Sequence, residues 1–169
     1  MAAAVLSITT SVDLTVDTRF TVIINSVSPE FKSSGSDSGI NWSVWKTLTG
    51  YTEGELKPPP ISYDQPEFTA QSGAAPTYAD VLWSEVPAER APDGSALKYI
   101  VHALAPDLSC RPKRLPTGLN SAEAKAALFS VYYRAMWQAT ALGGAQCSIG
   151  MPPLGSGVFA NDPVDVRVS

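Results

Sequence analysis

At 169 residues the chain has the length of one domain with a sizeable core, and 44% hydrophobic against 17% charged residues marks it as globular. A net charge of −4 and a pI near 4.9 argue against a general nucleic-acid binder, which needs a basic face to neutralise phosphates. Cys110 and Cys147 make neither a disulfide framework nor, with a single histidine, a zinc site, so no metal is expected and a reducing, cytoplasmic setting is.

The opening "MAAAVLSITTSVD" lacks the basic residues of a secretory signal, and no apolar run approaches the ~18 residues of a membrane span. "AAVLSIT" carries a weak strand pattern. "FTVIIN" (20–25) is β-branched and apolar without alternation, as in a central parallel strand buried on both faces. "INWSVWKTLTG" predicts a short helix ended by Gly50. From 51 to about 76 the pattern dissolves into "ELKPPPISYDQPEF", a proline-rich insertion carrying Tyr63 and Phe68. "TYADVLWSEV" (77–86) adds a strand with Ala79, Val81 and Trp83 on one side, and "YIVHALAP" (99–106) is a second buried run, stopped by proline.

Asn120 with Glu123 forms a capping-box pattern at the start of the clearest helix, 121–142. Ala124, Leu128, Val131, Tyr132, Ala135, Ala139 and Leu142 share one face, and Gly143-Gly144 supplies the stop. "AQCSIGM" (145–151) is a third apolar run, and "ANDPVDVRVS" leaves room for one short edge strand. Strand, helix, strand in that order is a right-handed crossover onto a mostly parallel sheet. The expected fold is α/β, with 1–169 as one domain.

In an open α/β sheet, ligands bind at the carboxyl ends of the strands. "NSVSPEFKSSGSDSG" (25–39) and "GMPPLGSGVF" (150–159) both leave such ends. Their small residues can present successive backbone amides to an anion, and two facing nests suit a diphosphate. Taken singly, each is more often a simple turn.

The order of "VDLTVDTRFTVIIN", a Gly/Ser loop with helix, "VHALAPDL" with "PKRL" and helix, and "PPLGSGVF" resembles the macro domain family, over about 13–159. The macro domains of alphavirus-like and hepatitis E-like RNA viruses are the most similar. The resemblance implies a three-layer α/β/α fold with a mixed, mostly parallel sheet and shortened C-terminal elements. It implies a partner, ADP-ribose or an ADP-ribosylated protein, and no cofactor. Asp13 of "VDLT" takes the place of the aspartate that accepts from the adenine amino group, about a dozen residues before Asn25. Asn25 matches the first asparagine of the family's "NAAN" loop, a brace. Leu154, Gly155, Ser156, Gly157 and Val158 would wrap the phosphates with backbone amides, and Phe159 would lie against the distal ribose.

The first loop departs from the family. Ser28 stands where an asparagine holds the distal ribose, and Ser33, Ser34, Gly35, Ser36, Asp37, Ser38 and Gly39 stand in the glycine run. Ser36 and Gly39 fall at phosphate-contacting positions, while Asp37 either repels the phosphates or helps place a water. With Ser28 and Asp37 as its catalytic candidates, mono-ADP-ribosyl hydrolysis is expected to be weak or lost. The alternative is a degenerate macro fold serving as a protein- or RNA-interaction module.

The remaining candidates have plain readings. His102 is read as a satisfied core histidine, and Trp42, Trp45, Trp83 and Trp137 as core. One of Tyr132 and Tyr133 should be buried, and "RPKR" (111–114) is a solvated loop able to touch RNA weakly. A monomer is expected.

Overall fold

The computed structural model describes residues 14–27, 40–50, 80–105 and 121–155. In chain order the elements are β1 (Val22–Val27), α1 (Ile40–Thr49), β2 (Val81–Glu85), a 3-10 turn (Ala88–Arg90), β3 (Tyr99–Leu104), α2 (Ser121–Gly143) and β4 (Ile149–Gly150). They form a four-stranded mixed sheet in the order β2-β3-β1-β4, so the chain is α/β. β1 pairs in parallel with both β3 and β4, while β2 closes the other side antiparallel to β3.

Period-2 alternation explains the two faces. Val22 and Ile24 of β1, Val101 and Ala103 of β3, and Val81 of β2 turn toward α2, where Val131, Ala135 and Ala139 meet them. Ile23 and Ile100 turn the other way and pack with Val44 of α1. The helices therefore cover opposite faces, and the central strands, buried on both sides, read as unbroken apolar runs.

Both helices run antiparallel to β1 and β3. The carbonyl of Leu48, late in α1, accepts from Arg90, just past the end of β2. A Cβ on Gly143, the last residue of α2, would lie 2.9 Å from Val22 at the start of β1. The N-termini of both helices thus point toward the end where β1 and β3 finish.

The helix expected at 121–142 and the stop after it are both present. Gly144 follows with φ +76°, and its amide donates to the Thr140 carbonyl at 2.9 Å. The first strand is shifted from 20–25. It continues to Val27 because Ser26 and Val27 pair with Ala103 and Leu104. Phe20 precedes it, with its ring against Gly150: a Cβ there would lie 2.8 Å from the ring, so only glycine fits. Val81 and Trp83 share the α2 side of β2 as expected. Trp137 is not core but 60% exposed, because it lies on the side of α2 away from the sheet. Tyr132 packs against the core while Tyr133 is exposed.

The weak strand in "AAVLSIT", the proline-rich insertion, Ala79, Cys110, "RPKR", Asn120 and the edge strand of "ANDPVDVRVS" lie outside the described residues, as do the side chains of Trp42 and Trp45. No helix among the described residues is long and apolar enough to cross a membrane.

Candidate functional site

The geometry of interest is the end of the sheet where the parallel strands finish. β1 is the middle of three parallel strands: it pairs with β3 along its whole length and with β4 at its start, Val22 beside Ile149 and Ile23 beside Gly150, so β1 and β4 are parallel neighbours that each lead into a small-residue segment. These are the two small-residue loops singled out above, more than a hundred residues apart in sequence. The connections leaving β1 and β3 send helices to opposite faces, and β3 and β4 flank β1. In doubly wound sheets such an arrangement opens a crevice at the switch point, which falls here between β1 and β3.

Of the expected ligand-contacting residues, three are described: Asn25, Leu154 and Gly155. Asp13, Ser28, Ser36, Asp37, Gly39, Ser156, Gly157, Val158 and Phe159 lie outside the described residues. Asp13 directly precedes Leu14, which packs against the Ile23–Val44–Ile100 cluster.

Leu154 and Gly155 are the anchored root of the third loop. Leu154 is buried in the α2-side core, and its amide donates to the Tyr132 hydroxyl at 2.7 Å. That amide is committed inside the protein, so Leu154 positions the loop instead of offering its N–H to a ligand. Gly155 is buried with φ +72°, a conformation that favours glycine and turns the chain directly after the anchor. The sequence placed Tyr132 on the apolar face of the helix but gave its hydroxyl no role. Its hydroxyl becomes an anchor because α2 packs across the sheet beside β4, a non-local fact.

Asn25 is fully buried, and its side chain belongs to a polar line across the α1 face of the sheet. Its Nδ2 donates to His102 Nδ1 at 3.5 Å, and His102 Nε2 lies 2.5 Å from Ser84 Oγ. The register explains the line, since Asn25 and His102 are direct partners across the parallel pair. With Nδ1 accepting, the imidazole carries its hydrogen on Nε2 and donates it to Ser84. Burial pushes the His102 pKa down to about 3, so the ring is neutral at physiological pH.

Ser84, His102 and Asn25 stand in the order of a nucleophile, a base and its orienting amide. Two observations exclude that chemistry. The pKa is too low for a base near pH 7. All three side chains are buried between two apolar clusters, Ile23–Val44–Ile100 and Val27–Leu82–Leu104, which leave a substrate no access. His102 is a satisfied core histidine, as its apolar surroundings in sequence suggested. Ser84 was not singled out, because only the antiparallel register of β2 brings it to the ring.

A shallow depression of about 680 Å³, lined by Glu85, Pro87, Ser95, Lys98 and Tyr99 among others, opens at the opposite end of the sheet. It is far from the loops after β1 and β4 and gathers no catalytic side chains. Among the described residues no three His, Cys, Asp or Glu side chains come together as a metal site. The chain matches no protein-family model and no curated protein.

Proposed function

We propose that the protein binds ADP-ribose, free or attached to another protein, in the crevice where β1 and β4 end. In this reading hydrolysis of the ADP-ribosyl linkage is weak at most. The observation that supports it is that β1 and β4, which lead into the two small-residue segments, are adjacent parallel strands. Facing amide nests are what a diphosphate needs, and the resemblance of "VDLT", "VHALAP" and "PPLGSGVF" to macro domains supplies the adenosine and ribose ends. In this reading Asp13 accepts from the adenine amino group, Gly155 and the residues after it enclose the phosphates, and Phe159 packs on the distal ribose. Asn25 serves from below, holding β1 through His102. Ser28 offers one short hydroxyl where an amide would fix ribose and water, and misplacement of about 1 Å can cost ~100-fold in rate.

ADP-ribose should raise the melting temperature, because a ligand of the native state alone stabilises it. Asp13→Ala should cost about 1.5–3 kcal/mol of binding. Once binding is established, Ser28→Asn should raise the rate at which ADP-ribose is released from an acidic side chain. The absence of any thermal shift would leave the interaction-module alternative. One observation favours that alternative: the Leu154 amide is already engaged by Tyr132.

A further inference from the structure

On the side of α2 that faces away from the sheet, the two turns from Phe129 to Trp137 are apolar. Phe129 is 72% exposed, Tyr133 64%, Trp137 60% and Met136 40%, and the Phe129 and Tyr133 rings stack at 6.4 Å with 15° between their planes. The charged residues of this 23-residue helix are Glu123, Lys125 and Arg134; helical spacing puts Glu123 and Arg134 on its flank, while Lys125 lies one turn before Phe129 on the same row and forms the rim of the stripe. A surface helix ordinarily turns its polar face to water; one apolar on both sides is built to be covered.

We propose that this stripe is the contact between two copies of the chain, joined as an antiparallel α2–α2 pair about a two-fold axis through Tyr133. The spacing carries the choice of a second copy. Phe129, Tyr133 and Trp137 fall at i, i+4 and i+8, so the stripe is symmetric about its middle residue. An antiparallel pair sets Phe129 of each copy against Trp137 of the other and Tyr133 against its own counterpart, as an isologous interface requires. The three residues form an i±4 ridge, the element that interdigitates in the commonest class of helix crossing. Met136 beside Trp137 fills the remaining gap and gives the opposing aromatic rings a sulfur contact.

The area is sufficient. At these exposures three aromatic side chains and a methionine offer on the order of 500 Å² per copy, so about 1,000 Å² over the pair, the lower bound for a specific interface. Large aromatics and methionine with charge kept to the rim is also the composition of an interface centre. This proposal departs from the monomer expected from sequence.

Sedimentation of the full chain from micromolar to hundred-micromolar concentration should show a monomer–dimer equilibrium. Trp137→Ala and Tyr133→Glu should each raise its dissociation constant by about 30-fold or more, the effect of losing a central aromatic. Their circular dichroism and melting should match the parent, since both positions face away from the core. A chain that stays monomeric throughout, or a dimer indifferent to both substitutions, overturns the proposal. Geometry is tested separately in a Cys110→Ser, Cys147→Ser background. There, Tyr133→Cys should cross-link on oxidation while Glu123→Cys, off the stripe, should not; equal cross-linking of the two, or none by Tyr133→Cys, also overturns it.

Discussion

Against α2 the fully buried side chains of the sheet are all apolar: Val22, Ile24, Val81, Val101 and Ala103. Against α1 the same strands bury Asn25, His102 and Ser84 in a line between two small apolar clusters. The first face is stabilised by area and fit, and Ala135 and Ala139 let α2 approach closely. The second depends on partners being present, because a buried polar group stabilises only while its hydrogen bonds are made. Both faces come from the same strands, so one alternation yields a generic core on one side and a register-specific one on the other. The strand that leads to the first proposed loop carries the polar line through Asn25, and the root of the other is held on the α2 core through Tyr132.

Substitutions should separate the faces. Ile24→Ala opens a cavity under α2 and should cost about 3 kcal/mol in denaturant unfolding. His102→Leu keeps volume but deprives Asn25 and Ser84 of their ring partner, and should cost about 2 kcal/mol. On the polar face the loss should be largely repaired by replacing all three members with apolar residues of similar shape, Asn25→Leu and Ser84→Ala alongside His102→Leu. No second substitution of a polar partner can repair Ile24→Ala. If the triple variant is much less stable than His102→Leu alone, the polar line contributes more than mutual satisfaction.

Acid distinguishes the faces next. His102 protonates near 6.5 in the unfolded chain and about 3 in the folded one, so between those values the unfolded state binds more protons. Stability should therefore fall as the pH drops below 6.5, by about 2 kcal/mol at pH 5. Ile24→Ala should keep that pH dependence, whereas His102→Leu should lose it. The smallest effect belongs to the junction of core and loop: Tyr132→Phe removes the acceptor for the Leu154 amide and should cost about 1 kcal/mol. Faster amide exchange at Leu154, with the core amides unchanged, would locate the loss.

The parts legible in sequence are those set by local pattern. The unbroken apolar run at 99–105 and the capped, periodic stretch at 121–142 became β3 and α2, because burial on both faces and a 3.6-residue period each leave a direct trace. The start of β1 was not legible: Phe20 and Thr21 have strand-like chemistry, but Phe20 instead covers Gly150, a contact made across the sheet. Ser84 and Tyr132 escaped for the same reason, as their roles depend on register between distant segments. Trp137 misled because it was read by residue type: it is not on the face of α2 that the period picks out, and that face is the one that meets the sheet. Of the site, the root is described at Leu154 and Gly155, while Asp13, Ser28 and Phe159 rest on family resemblance.

Calorimetric titration of the folded chain with ADP-ribose tests the central claim, that the loops leaving β1 and β4 form one nucleotide-diphosphate site, most directly. The account predicts saturable binding of one ADP-ribose per chain, weakened by Gly155→Val, whose β-branched side chain resists the positive φ at the root of the third loop. A flat titration from a chain shown to be folded, or binding untouched by Gly155→Val, would contradict it.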